Sequence, residues 1–147
     1  MLLKLKNPVV VLDLETTGMN IVTDRIVEIA LLKINVDGSE EEKLMLINPE
    51  MHIPTEVSQI HGITDDDVKD KPTFREVAKT LAKFIEGCDL CGFNSNRFIF
   101  LCWPKNFYVP ILISTLKSTN LLMYRRYFIK WKNALWLQPI NFTATGN

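Results

Sequence analysis

The chain has 147 residues, enough for one domain with a hydrophobic core, and its 17 basic and 17 acidic side chains give a formal net charge of zero. The segment after Met1 lacks the pattern of a secretory signal, and the best membrane-span candidate, residues 109–123, is interrupted by Lys117. With only three cysteines, the composition argues against a disulfide-stabilised secreted domain and predicts a reduced, cytoplasmic protein with no membrane partner.

Charged and aromatic residues are distributed unevenly along the chain. Residues 1–89 carry 10 basic and 17 acidic side chains, whereas residues 90–147 carry 7 basic and no acidic ones. Of the 14 aromatic residues, 10 follow Phe98. A single evolved domain seldom changes composition so abruptly. The second part is therefore either a basic, aromatic binding segment or a segment that was not selected as protein.

A short apolar run that ends in carboxylates is the most informative stretch of the N-terminal part. Residues 9–18 read VVVLDLETTG, and the β-branched start predicts a strand buried on both faces. Because side chains alternate along a strand, Asp13 and Glu15 share one face while Leu14 faces the packing. Two carboxylates on one face are costly without a positive partner, and Mg²⁺ prefers such oxygen ligands.

Thr16, Thr17 and Gly18 end this strand and supply hydroxyls and a backbone that a ligand can approach closely. A strand followed by an ordinary turn would also use Asp, Thr and Gly, but the complete string DLETTG is far more specific. It resembles the first motif of the DEDD 3′–5′ exonucleases, in particular the proofreading epsilon subunits of bacterial DNA polymerase III. The resemblance implies that Asp13 and Glu15 bind a catalytic pair of Mg²⁺ or Mn²⁺ ions. It also implies that the Thr-Thr-Gly segment contacts the 3′-terminal nucleotide.

The next residues predict two more strands of a meander. Residues 25–36 are rich in aliphatic side chains and predict the second strand, and Asp37-Gly38 indicates a hairpin. Residues 38–42 form its expected polar tip, in which the acids at 40–42 are a solvated turn. Residues 43–48 predict the third strand, which Pro49 ends.

An irregular segment is expected from residue 53 to residue 64. Thr64, followed by three aspartates, resembles a helix N-terminus, which explains these acids without a metal. A histidine in a turn is commonly structural or exposed. However, the pattern P-x-E-x-x-x-I-H-G-I-T resembles a second family segment, in which the His-Gly-Ile turn packs against the terminal nucleotide. The resemblance therefore implies that His61 and Gly62 help to position substrate.

A core helix and a fourth strand follow. Residues 73–86 have apolar side chains at helical spacing, with Thr73 as the expected cap and Gly87 as the expected stop. Residues 88–93 predict a strand. Cys88 and Cys91 would face opposite sides of that strand, and no second ligand pair exists, so two buried free thiols are expected rather than a zinc site.

The resemblance to the exonucleases stops at Phe98. Residues 92–98 (GFNSNRF) resemble the start of the second exonuclease motif, but Ile99 stands where the family has an aspartate. The third motif, a His followed five residues later by an Asp, is also missing, since the only histidines are His52 and His61 and no acid follows Asp89. Two of the four metal-binding carboxylates and the general base therefore have no match.

A lost reading frame explains this abrupt end. Codons allowed for residues 99–109, with one G added in front, also read DIPLLAEEFLR, which supplies the expected aspartate and an amphipathic helix. We therefore interpret residues 1–98 as the N-terminal part of an exonuclease domain. Residues 99–147 are interpreted as an out-of-frame tail behind a one-nucleotide deletion.

The resemblance implies an α/β fold with a ribonuclease-H-like mixed sheet, here C-terminally incomplete. The resemblance implies a proofreading-type 3′–5′ exonuclease that acts on single-stranded DNA 3′ ends with two metal ions, with a DNA polymerase subunit as a further expected partner. The missing motifs predict that this chain is a truncated, inactive form of it. An RNA-directed member of the same superfamily also fits. The alternative from another class is a non-enzymatic protein that binds single strands through the aromatic and basic tail residues, among them Trp103, Tyr108, Arg125, Trp131 and Trp136.

Overall fold

A mixed, five-stranded sheet organises the part of the chain that the computed structural model describes, residues 5–20, 22–93 and 121–124. Its strands, in chain order, are β1 (Val9–Thr16), β2 (Ile26–Ile34), β3 (Glu40–Leu46), β4 (Asp89–Phe93) and β5 (Leu121–Tyr124). Three helices lie between β3 and β4, namely α1 (Thr55–His61), α2 (Asp65–Val68) and α3 (Phe74–Ile85). The spatial order β3-β2-β1-β4-β5 places β1 at the centre.

The predicted meander is confirmed, with one correction at its second turn. β1 pairs antiparallel with β2, and β2 pairs antiparallel with β3. The turn closes earlier than expected, because the backbone N–H of Asn35 donates to the carbonyl of Ser39 at 2.8 Å and Gly38 takes a φ of 85°. Residues 40–42 are therefore exposed strand residues paired with β2, and the expectation of a solvated turn there was wrong. Charged side chains are ordinary on such an edge strand.

Helix α3 covers one face of the sheet and makes the main core. Alternating residues of the strands, Val10, Leu12, Ile29, Leu31 and Leu90, are buried with the apolar stripe of the helix. That stripe consists of Phe74, Ala78, Leu81, Ala82, Phe84 and Ile85. The predicted helix is confirmed. It forms part of the crossover connection that allows β4 to pair in parallel with β1.

A smaller cluster packs α1 and α2 against the end of the meander. It buries Val27, Ile53, Ile63 and Val68. The segment predicted to be irregular is helical from residue 55 to residue 61, with Ile53 and Ile63 on either side of the helix buried in this cluster and Val57 packed against it. The predicted N-terminus at Thr64 is confirmed by a capping box with Asp67.

The two cysteines near β4 differ in exposure. Cys88 is buried and lies just before the strand, while Cys91 on the strand is only half-buried, so the prediction of two buried thiols holds for the first alone. Burial raises the pKa of both thiols. Both therefore remain protonated and unreactive near neutral pH.

The fifth strand was not predicted. β5 pairs in parallel with β4, with Leu90 opposite Leu121 and Phe93 opposite Tyr124. It lies within residues 99–147, the segment interpreted as an out-of-frame tail, for which no strand was expected. Strand addition relies on backbone hydrogen bonds, so it tolerates many sequences. Residues 94–98 of the predicted second motif, the break at Ile99 and the aromatic and basic residues named in the tail lie outside the described residues. Within those residues, no helix is both long and apolar enough to cross a membrane.

Candidate active site

Two carboxylates lie at the C-terminal end of the central strand. Asp13 and Glu15 alternate with Leu12 and Leu14, which pack into the core beneath α3. Asp13 is exposed and Glu15 is half-buried. The core contacts of the two leucines thus orient both carboxylates toward the opposite face, as the alternation of the sequence predicts.

The carboxylate of Asp13 carries a desolvation cost. Burial of part of the group raises its pKa above the ordinary value, and a hydrogen bond with the backbone of Leu14 partly counteracts the rise. The side chain as a whole is still exposed at the sheet surface. A carboxylate that is reachable from solvent but poorly solvated is well suited to a cation, whose charge would offset the lost hydration.

A third carboxylate lies beside this pair and was missed by the sequence reasoning. Glu28 on β2 is directly opposite Glu15 in the antiparallel register, and only 9% of it is exposed. Opposite residues of an antiparallel pair share a face, so Glu28 and Glu15 lie side by side. Glu28 could have been identified only from the pairing register of β1 and β2, which the sequence does not specify. Across the described ranges, no group of three or more His, Cys, Asp or Glu side chains is arranged to hold a metal ion.

Hydrogen bonds with residues that follow it in the chain stabilise the Thr-Thr-Gly segment. Thr17 is 1% exposed, and its hydroxyl donates to Asp24 Oδ1 at 3.1 Å and accepts from the backbone N–H of Arg25 at 3.0 Å. The hydroxyl of Thr16 donates to the carbonyl of Gly18 at 2.6 Å. In this structure both hydroxyls stabilise the loop itself. A contact of Thr16, Thr17 or Gly18 with a nucleotide stays a prediction.

Gly18 has a spatial reason for lacking a side chain. A Cβ at this position would lie 2.5 Å from Asp24 Oδ2 and 2.9 Å from its Cγ. Gly18 is not among the glycines with a positive φ, so backbone conformation does not explain the glycine. The close approach of the Asp24 carboxylate, which leaves little space for a Cβ, does explain it.

His61 and Gly62 have structural roles that the sequence reasoning did not include. His61 is the last residue of α1 and is buried, and its Nδ1 accepts a hydrogen bond from the backbone N–H of Ile63 at 3.0 Å. Gly62 caps the helix in the left-handed conformation at a φ of 78°, with its N–H on the carbonyl of Ser58 at 2.7 Å. In the described part of the chain, His61 does not join Asp13 and Glu15 in a metal-binding group. Its contact with substrate, like that of Gly62, stays a prediction.

Comparisons with known proteins agree with this architecture. The family model RNase_T, described as an exonuclease, matches residues 10–137. The DNA polymerase III subunit epsilon of Treponema pallidum is 39% identical over 84 residues, which are 57% of this chain and 39% of that protein. The epsilon subunit of Buchnera aphidicola is 38% identical over 94 residues, covering 60% of this chain and 40% of that protein. This chain therefore spans about two fifths of the length of these relatives.

Solved structures show the same fold at lower identity. Exonuclease I of E. coli in complex with a dT13 oligonucleotide has a TM-score of 0.66 and 18% identity, and the match covers 79% of this chain and 27% of that chain. The likeness confirms the α/β, ribonuclease-H-like mixed sheet. Because the family model matches well over half of the residues, the chain belongs to the exonuclease family, with the epsilon proofreading subunits among its relatives.

Proposed function

We propose that this chain carries the first part of a two-metal, proofreading-type 3′–5′ exonuclease site for single-stranded DNA ends. One observation carries the proposal: Asp13 and Glu15 share the face of the central strand opposite α3, immediately before a loop that internal hydrogen bonds stabilise. Exonuclease I, which shares the fold, has been solved with bound oligonucleotides. The names of the epsilon relatives support a DNA polymerase subunit as the partner.

The two carboxylates fit Mg²⁺ or Mn²⁺ in ligand type, since both ions prefer oxygen ligands. When bound, such a metal pair activates the attacking water and stabilises the leaving oxygen of the phosphodiester. Asp13 and Glu15 would hold the ions through their carboxylate oxygens. Because these two residues are only part of a ligand set, calorimetry should find weak binding. Tight binding of two ions by the present chain would show that other residues complete the site.

We further propose that the present chain is an inactive form with an out-of-frame tail after residue 98. The missing acid at position 99, the loss of every acid after Asp89 and the alternative reading DIPLLAEEFLR support this. Two observations favour the opposite case, that the tail belongs to the domain: the family match extends to residue 137, and β5 pairs with β4. The nucleotide sequence around codon 99 separates the two directly.

The test of activity is a comparison between the present chain and a restored one. Adding one G before codon 99 and reading through the downstream frame should yield a protein that releases mononucleotides from DNA 3′ ends in Mg²⁺ or Mn²⁺. Asp13→Ala and Glu15→Ala should abolish that release, and an RNA strand of matched sequence measures the preference for DNA. Without a histidine as general base, a role commonly worth about 10²–10⁴-fold, the unrestored chain should not hydrolyse at a useful rate. Efficient hydrolysis by it would overturn the inactive-form proposal.

The second candidate is a non-enzymatic single-strand binder, which the basic and aromatic composition of the tail favours. If the tail binds by design, removal of residues 99–147 should abolish salt-sensitive binding to single-stranded DNA. Binding that survives the deletion would place the interaction on residues 1–98 instead, in agreement with the exonuclease proposal.

A further inference from the structure

We propose that Asp24 is a positioning residue for the nucleotide-binding loop, the segment of Thr16, Thr17 and Gly18. Asp24 lies in the connection between β1 and β2, outside the DLETTG motif. This inference rests on the proposed function, because the loop conformation matters for activity only if the loop meets the 3′-terminal nucleotide.

The carboxylate of Asp24 ties two parts of the connection together. Its Oδ1 accepts from the Thr17 hydroxyl at 3.1 Å, and its Oδ2 accepts from the backbone N–H of Asn20 at 2.6 Å. The N–H of Asp24 also donates to the carbonyl of Asn20 at 2.8 Å. One charged group therefore bridges the segments before and after Met19, and hydrogen bonds to charged acceptors are the stronger kind.

Thr17 transmits this constraint to the backbone next to the candidate metal ligands. Its side chain is turned into the protein, and its N–H donates to the carbonyl of Arg25 at 2.8 Å. The Thr17 hydroxyl has a single hydrogen, for which the Asp24 carboxylate at 3.1 Å competes with Met51 Sδ at 3.8 Å. The charged oxygen is the better acceptor, so Asp24 sets the orientation of Thr17.

Gly18 and Asp24 are fitted to each other. The carboxylate occupies the space that a Cβ on residue 18 would need, at 2.5 Å from Oδ2. The glycine of the motif thus admits the group that holds the loop. Glu15 lies two residues before Thr17 and three before Gly18. We infer that Asp24 keeps the backbone of these two loop residues at a fixed distance from Glu15 before a nucleotide binds. Such preorganisation lowers the ordering cost of binding.

The experiment measures binding of thymidine 5′-monophosphate to the full 147-residue chain in Mg²⁺, by NMR titration. Asp24→Ala should weaken binding about 10- to 100-fold, because the hydrogen bonds to a charged group that order the loop are lost. Asp24→Asn keeps one acceptor oxygen, so its affinity for the nucleotide should lie between those of Asp24→Ala and the unchanged chain. The matched control is Asp37→Ala, since Asp37 Oδ1 likewise holds a turn, accepting from the N–H of Ser39 at 2.9 Å and from its hydroxyl at 2.7 Å. This control should leave nucleotide binding unchanged.

A second pair of variants keeps the test decisive if Asp24→Ala does not fold. Thr17→Val removes the donor to Asp24, whereas Thr17→Ser keeps it, so only the valine variant should lose affinity. Unchanged binding by folded Asp24→Ala, an equal loss in Asp37→Ala, or equal losses in the two Thr17 variants would each overturn the role of Asp24. Absence of nucleotide binding by the unchanged chain would instead overturn nucleotide binding by this loop, and the role of Asp24 with it.

Discussion

At the scale of single residues, the two glycines among the predicted substrate contacts disfavour a side chain for different physical reasons. Gly62 adopts a φ of 78°, and a Cβ there would meet no atom within 4 Å, so its reason is conformational. Gly18 has no positive φ but lies against the Asp24 carboxylate, so its reason is space. The first kind of glycine ends a helix, and the second admits a neighbouring side chain.

This difference predicts coupling between Gly18 and Asp24. Gly18→Ala should lower the free energy of unfolding by about 1–3 kcal/mol, the usual range for overpacking. In an Asp24→Ala background the same change should cost clearly less, because the clashing carboxylate is gone. Urea denaturation of the four proteins of this double-mutant cycle gives the coupling energy.

The control for the cycle is Gly62→Ala, which should cost about 1 kcal/mol in either background because its strain is local to its own backbone. Additive effects of Gly18→Ala and Asp24→Ala would contradict the contact between the two residues.

At the scale of elements, α3 holds the sheet in place, and its first turn is stabilised by a charged cap. The carboxylate of Glu76 accepts from the backbone N–H of Thr73 at 2.7 Å and from its hydroxyl at 2.9 Å. The bond with the backbone N–H, followed by the one with the hydroxyl, holds the pKa of Glu76 below its usual range. The acidic group also lies at the helix N-terminus, where negative charge is favourable.

The lowered pKa of Glu76 predicts a pH-dependent contribution to stability. A carboxyl group whose pKa is lower in the folded state stabilises the protein above its unfolded pKa, about 4.3, and the effect is lost as pH falls through the folded pKa. Glu76→Gln should therefore be less stable than the unchanged chain at pH 7, and the difference should disappear in acid. Thermal unfolding at a series of pH values measures it.

Glu86→Gln, at the exposed C-terminal end of the helix, is the matched control and should not reproduce the loss of stability at pH 7. A difference between Glu76→Gln and the unchanged chain that persists at pH 2 would show that the cap does not depend on charge.

At the scale of the whole molecule, the described sheet has two edge strands of different origin. β3 belongs to the part of the chain that resembles the exonucleases, and β5 lies in the proposed out-of-frame tail. Their contacts differ as well, since β3 continues an antiparallel meander whereas β5 joins by a parallel pairing with β4. Parallel pairing is slightly less stable per residue.

We therefore expect the amides of β5 to exchange with solvent faster than those of β3, and both to exchange faster than those of the central β1. Native-state hydrogen exchange on the 147-residue chain measures all three strands in one experiment. In the restored protein the strand next to β4 should be protected at least as well as β3. Protection of β5 equal to that of β1 in the present chain would indicate that the tail is an integral part of the domain.

Local patterns along the chain were enough to predict much of this architecture. The alternation of residues 9–18 placed Asp13 and Glu15 on one face of a strand, and helical spacing predicted α3 and its cap at Thr73. These features depend on neighbours within a few positions, and burial follows directly from their periodicity. The motif itself carried the resemblance to the exonucleases.

Only the tertiary structure decided what depends on residues far apart in sequence. The β1–β2 register brings Glu28 beside Glu15, the connection folds Asp24 onto Gly18, and a second core turns residues 55–61 into a helix. A strand's own pattern does not specify which residue of another strand lies opposite, and a turn's composition does not reveal which side chain fills the space beside a glycine. The sequence alone thus determined where the candidate metal ligands lie, while packing between distant segments decided what holds the loop beside them.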